Sequence, residues 1–147
     1  IMINPTYTKK RGETIMYQMK PEYYTGIEAI DQEHTRLFEL AQQTHDLLNN
    51  DILIDKADSI THLISELIDY TRTHFSHEEA YMESIQYPRI SAHITLHRKF
   101  EENLMVFDLD AIEDDFDEQE EAVQHLLDFL VDWLINHIMK VDMLYVK

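Results

Sequence analysis

Residues 70–97 read YTRTHFSHEEAYMESIQYPRISAHITLH, and they decide the fold. His74 and Glu78 stand four apart in the first half, and His93 and His97 stand four apart in the second. On an α-helix that spacing puts both side chains of a pair on one face, one turn apart. Pro88 lies between the pairs. A proline there ends one helix and lets the next begin in the reverse direction, so the pairs face one another instead of lying strung along a rod.

The same rule extends both ways along the chain. Upstream, Ile60, Ile64, Leu67, Thr71, His74, Glu78, Tyr81 and Ile85 recur every three or four residues, so the polar pair lies on an apolar seam near the end of a helix. Downstream, Ile90, His93, His97, Phe100, Leu104 and Phe107 form a seam whose histidines lie near its start. Ile30, His34, Leu37, Ala41, His45 and Leu48 predict an earlier helix, with His34 near its start and Asp31 suited to its first turn. Val123, Leu127, Leu130, Leu134, His137 and Val141 predict a last helix, with His137 near its end. In an all-α, up-down-up-down four-helix bundle, the start, end, start and end of successive helices lie together. The polar residues then converge within about 10 Å of one end, at a rise of about 1.5 Å per residue. Asp142 follows His137 by five residues, about 140° on a straight helix, so it joins them only if the fourth helix ends or distorts between Ile138 and Asp142.

With 147 residues, 44% of them hydrophobic, the chain suits one globular domain. Two Gly and three Pro favour long helices over a turn-rich β fold. The lack of cysteine excludes disulfides, zinc ribbons and thiol catalysis. A formal charge of −17 argues against nucleic acid and anionic membranes as partners, since both are drawn to clustered Lys and Arg. No apolar run approaches a membrane span, and Lys9-Lys10-Arg11 is not followed by a signal-like stretch, so a soluble, cytoplasmic protein is expected. Residues 1–26 hold both glycines, two of the three prolines and no sustained apolar period; they predict an extended N-terminal arm lying against a bundle of residues 27–147. Ile1 is not methionine, which leaves a longer parent chain open. Residues 108–121 carry nine acids and no base, predicting a solvated connection that runs into the next helix start, where carboxylates favour the dipole, and not a calcium loop, whose spacing and central glycine are missing.

A lone histidine on an apolar face is usually a hydrogen-bonded core residue. Several imidazoles and an ionised Glu at one end of a bundle are different, because burying them is costly without partners and a metal centre satisfies them together. In these residues the chain resembles the hemerythrins, most closely the single-domain bacterial ones, through GIEAIDQEH, YTRTHFSHEE with Met82, HITLH and WLINHIMKVD, in that order over residues 26–142. Two departures stand out: Met19 lies where bacterial members often have Trp, and Glu33 lies where Gln is usual, placing an acidic group near His34.

The resemblance implies a centre of two Fe ions bridged by an oxo or hydroxo group. Glu78 and Asp142 would bridge both irons, His93, His97 and His137 would complete one, and His34 with His74 would bind the other. That count leaves the second iron one open position. It implies reversible binding of dioxygen, without catalysis, for transport, storage or delivery; the alternatives are a di-iron peroxidase, a nitric oxide-handling enzyme or an oxygen-sensing module. No protein partner is specified. The Glu-x-x-His pairs of ferritin-like oxidases do not occur in the chain, and neutral imidazoles stabilise high iron states less than carboxylates do, which favours reversible binding.

Leu37, Phe75, Trp133, Leu134 and Ile138 are candidates for a dry wall around such a site, a role they share with ordinary core packing. Glu79 lies about 140° off the His74 face and is expected toward solvent or a neighbouring helix. His62, His77 and His125 fall off the seams and are expected at the surface, and His45 near the opposite end. Tyr70 and Tyr81 read as boundary residues before any redox role.

Overall fold

The computed structural model describes residues 17–50, 57–105 and 116–146, although the side chains of residues 105 and 116–119 are left aside. Four long helices carry the fold: α1 (Glu28–Leu48), α2 (Ala57–Ser84), α3 (Ile90–Met105) and α4 (Phe116–His137). No strand occurs among the described residues. Consecutive helices run in opposite senses, as an up-down-up-down bundle requires. Leu37, Thr71 and Phe100, one from each of α1, α2 and α3, meet Leu130 and Leu134 of α4 around one small cavity. Leu37 and Phe100 lie one turn after a site histidine, while Thr71 and Leu134 lie one turn before one.

The predicted seams are the buried stripes. Ile60, Ile64, Leu67, Leu127 and Leu40 are completely buried, so truncating any of them to Ala would cost about 2–5 kcal/mol. That core holds the helices together further along the bundle from the polar layer. Four described seam positions fall short of full burial: Tyr81, Ile90 and Val141 are partly buried, and Ile85 is exposed. Ile85 is 43% exposed, because α2 stops at Ser84, and Met82, one turn beyond Glu78, takes the buried place instead. Val141 is only partly buried because the last helix changes its winding, as described below. Phe107 and residues 108–115 lie outside the described residues. The acidic stretch runs into α4, which begins at Phe116, as expected.

The reversal between α2 and α3 is built at Gln86. Its φ of 54° places it in the left-handed region, its N–H bonds to Glu83 O at 3.0 Å, and the Tyr87 N–H bonds to Met82 O at 3.0 Å. Those two bonds are the Schellman pattern, which satisfies carbonyls that the helix end leaves free. Pro88 follows the reversal and does not cause it.

Before α1 the chain packs on the bundle from Tyr17 onward. The Tyr17 N–H donates to Gln42 Oε1 at 2.6 Å, its hydroxyl donates to Asp128 Oδ1 at 3.1 Å, and Tyr23 stacks on Phe38. Asp31 fixes the start of α1 by accepting from Thr25 N, Thr25 Oγ1 and Gly26 N at 2.8, 2.8 and 3.0 Å. Gly26 has φ of 87°, a left-handed conformation that glycine adopts without steric cost. His45 lies at the far end as expected, its Nδ1 3.2 Å from Gln124 Oε1. Among the described residues no helix is long and apolar enough to cross a membrane.

Candidate metal centre

At the other end of the bundle seven side chains meet. His34 comes from α1, His74 and Glu78 from α2, His93 and His97 from α3, and His137 from the last residue of α4. Asp142 follows on a single π turn, Ile138–Asp142, which leads into a short α5 (Met143–Val146). In that turn the Met143 N–H bonds to Ile138 O, five residues back. A π turn takes in one more residue than an α turn, so Asp142 returns over His137 in spite of the five-residue gap. None of the seven residues is more than 5% exposed.

Their donor atoms form two groups, within each of which all atoms lie inside 4.8 Å of one another. Glu78, His93, His97, His137 and Asp142 make the first; His34, His74 and Glu78 make the second. Asp142 reaches from one to the other, with Oδ1 3.1 Å from His93 Nε2 and 3.0 Å from His137 Nε2, and Oδ2 3.4 Å from His34 Nε2. These contacts are close without being aligned as hydrogen bonds. Glu78 Oε1 lies 3.0 Å from Nε2 of both His93 and His97, yet it, both Asp142 oxygens and both ring nitrogens of His34 make no hydrogen bond. Likewise the Nε2 atoms of His93 and His97 sit 2.9 and 3.2 Å from that of His137. The atoms point at common foci more than at each other. Leaving each one buried and unpaired costs about 1–3 kcal/mol, a cost that a cation at the focus removes for the carboxylate oxygens and for His34 Nε2. Imidazole nitrogens with carboxylate oxygens suit a first-row transition metal, so the residues fit a metal centre.

Charge within the cluster follows from the same closeness. Burial and the charge of Asp142 both oppose ionisation of Glu78, but the His93, His97 and His74 imidazoles outweigh them and hold its carboxyl at about 2. Asp142, equally disfavoured by burial, is held well below the ordinary carboxylate range by His137, His34 and His93. Burial lowers His93, yet the two carboxylates raise it to about 9. His137 goes the other way, since burial outweighs its carboxylate neighbours and pushes it down.

A ring of further residues holds the donors in place, and sequence reasoning missed most of it. Glu33 accepts from His74 Nδ1 at 2.9 Å and also pairs with His77 Nδ1. Its influence is therefore on His74 across the α1–α2 contact. Glu79 accepts from His97 Nδ1 at 2.7 Å and is itself held by Arg98, so it faces α3 and not open solvent. Each bond leaves Nε2 of the imidazole directed into the cluster, as carboxylate–histidine pairs do at metal sites. His77 is at the surface as expected, with its side chain 61% exposed. Tyr145 had no role in the sequence reading; its hydroxyl donates to Glu78 Oε2 at 3.0 Å. Burial, with the charges of Glu78 and Asp142, raises its pKa and keeps it a donor. The only sequence signal was position: Glu33 and Glu79 each neighbour a seam residue, and Tyr145 follows Asp142 by three.

The five wall candidates surround these groups. Phe75 lies flat on His97 with centroids 3.8 Å apart, Trp133 lies flat on His137 at 4.3 Å, and Leu37, Leu134 and Ile138 are buried.

Helix order, the buried histidine–carboxylate cluster and its carboxylate supports define a four-helix metal-binding bundle. The hemerythrin HHE cation binding domain matches residues 25–147, and the chain belongs to that family. It is 39% identical over 131 residues to the bacteriohemerythrin of Clostridium acetobutylicum, covering 89% of this chain and 99% of the relative. The bacteriohemerythrin of Stenotrophomonas maltophilia is 32% identical over 120 residues, 82% of this chain and 72% of the relative. That of Methylococcus capsulatus is 31% identical over 125 residues, 84% and 88% respectively.

Proposed function

We propose that the chain binds two iron ions, one in each donor group, and binds dioxygen reversibly at the pair, for transport, storage or delivery and not for catalysis. The observation that carries this reading is the unequal division of donors about a shared Glu78. His93, His97 and His137 gather on one side, and only His34 and His74 on the other. Glu78 and Asp142 would serve both ions, so the two-histidine side would be one donor short and would leave room for a small ligand. The shared name of the relatives, bacteriohemerythrin, supports the same reading.

When bound, the iron pair supplies two electrons that dioxygen takes up on arrival and gives back on departure. The chain supplies the surroundings. Glu33 and Glu79 orient His74 and His97, and Tyr145 donates to Glu78 Oε2 and restrains that carboxylate. Exclusion of water falls to the apolar layer beneath. A cavity of about 10 Å³ lies one turn below the histidines, lined by Leu37, Thr71, Phe100, Leu130, Trp133 and Leu134. Thr71 donates its hydroxyl to Leu67 O at 2.7 Å, the rest of the lining is almost wholly apolar, and a space of that kind stays dry.

The test is anaerobic reduction, then addition and removal of oxygen, with the visible spectrum and iron content followed throughout. A coloured adduct that fades on deoxygenation and returns on re-exposure, at two irons per chain, is the expected result. Direct conversion to a stable oxidised state, or sustained consumption of peroxide or nitric oxide, would move the assignment to a redox enzyme.

A further inference from the structure

Resting on the reading above, in which the cluster holds a redox-active metal pair, we propose that Trp133 is the port through which a positively charged one-electron donor delivers electrons to the centre. Trp133 is the one tryptophan of the chain and is partly exposed on α4, whereas the seven donor residues are sealed in. Its ring lies flat on His137, with centroids 4.3 Å apart and planes 14° apart. It also lies flat on Phe100 at 4.0 Å and 18°, and meets Phe75 edge-on at 5.7 Å. Phe75 in turn lies flat on His97 at 3.8 Å and 3°. One ring that reaches the surface thus touches one donor histidine directly and a second through a single intervening ring.

Electron tunnelling weakens steeply with every gap between groups, so a stack in contact from surface to donor is the favoured path. The tyrosines on the other flank are placed less well. Tyr81 and Tyr87 approach Tyr145 at 5.7 and 6.0 Å with planes 57° and 78° apart, without flat overlap. Phe129, 43% exposed and stacked on Phe100, widens the aromatic face beside Trp133. The net charge of −17 selects the donor, because it draws cations to the surface and repels anions. Each donor molecule leaves oxidised by one electron. Two transfers restore a centre that has lost two electrons, and neither proton nor atom passes through the indole.

The experiment is anaerobic stopped-flow reduction of the oxidised, iron-loaded chain by hexaammineruthenium(II), a small cationic one-electron reductant, with variants compared at equal iron content. Trp133→Phe keeps a ring in stacking contact and should stay within about threefold of the parent rate, whereas Trp133→Leu should be roughly tenfold slower. A ring that only keeps solutes out predicts the opposite sign, since leucine opens the wall. Reduction of Trp133→Leu at the parent rate or faster therefore overturns the proposal.

A second pair of variants leaves the stack intact. Phe129→Lys, beside the port, should slow hexaammineruthenium(II) and speed the anion dithionite by about threefold each at low salt, with both effects fading at high salt. His62→Lys, exposed near the start of α2 at the far end, should do neither, and equal effects of the two lysines overturn the proposal. A readout independent of reduction is the emission of this single tryptophan, which caesium should quench more than iodide does; the reverse order overturns the choice of a cationic donor. A chain that takes up no iron overturns the function proposed above together with this inference. A chain that binds iron and oxygen while Trp133→Leu is reduced at the parent rate overturns this inference alone.

Discussion

Glu78 is the residue whose loss the centre tolerates least, because it is the one donor common to both groups. Glu78→Ala is expected to lose most of its iron, measured as metal per chain after desalting; two irons retained would refute its place between the ions. Glu33 acts at one remove. It holds His74 through Nδ1, so Glu33→Ala should bind iron but release it to a chelator about 10–100-fold faster. His77 meets the same carboxylate from the solvent side, and its side chain is 61% exposed. His77→Ala should therefore keep its iron content, and a large loss would mean that the helix face is wrongly assigned. The contrast between His74 and His77, three residues apart, separates a donor from a support by a measurement that needs no oxygen chemistry.

At the scale of the element, the π turn decides whether Asp142 belongs to the centre. Inserting one Ala between Met139 and Lys140 adds about 100° and swings Asp142 off the cluster, so iron content should fall. Deleting Lys140, which is exposed, lets the π turn close into an α turn with His137 and the aspartate at i and i+4, and iron should be retained. At the α2–α3 turn, Gln86→Gly should raise stability by about 1 kcal/mol in denaturant unfolding, because glycine adopts the left-handed conformation without the steric cost.

These elements also mark how far the sequence could be read. The four seams were legible because burial imposes a period, and a histidine on a seam is as visible as a leucine. The π turn was legible only as a conflict, in that Asp142 stood five residues after His137. The left-handed Gln86 left no trace, since hydrogen bonds to Glu83 and Met82 can hold an ordinary residue there, and Pro88 drew the eye instead. Glu33 and Glu79 escaped because periodicity reports which face is buried and is silent on which neighbouring helix a flanking residue meets. Tyr145 shares a face with Asp142, but that is apparent only once the winding between His137 and Asp142 is known.

For the whole molecule the consequence is a pH dependence whose sign differs between the metal-free and loaded forms. In the metal-free chain His93 is raised from 6.5 to about 9, and His74 is raised too; although burial opposes both, Asp142 and Glu78 outweigh it at His93, and Glu33 with Glu78 at His74. A base raised on folding gives stability that is complete below its unfolded value and is lost as pH rises through its folded one. Glu78, held at about 2 against an ordinary 4.5, gives stability present above the ordinary value and lost as pH falls through the lower one. His137 is pushed down by burial and runs against the other two, one imidazole against a pair. The metal-free chain should therefore be most stable between about pH 4.5 and 6.5 and weaken toward pH 9, over the window that those values set. Metal binding runs the other way, because the donors must be neutral imidazole and carboxylate and protons compete with the ion. Stabilisation by a ligand grows with its affinity, so the difference in Tm between loaded and metal-free protein should widen as the pH is raised from about 5.5 to about 8.5. Self-repulsion from the charge of −17 also grows with pH, but it acts on both forms and largely cancels from the difference. Thermal unfolding of both forms at the two pH values measures that difference. If it stays constant or narrows, the buried imidazoles are not the groups that exchange protons for metal, and the assignment of His34, His74, His93, His97 and His137 as donors fails with it.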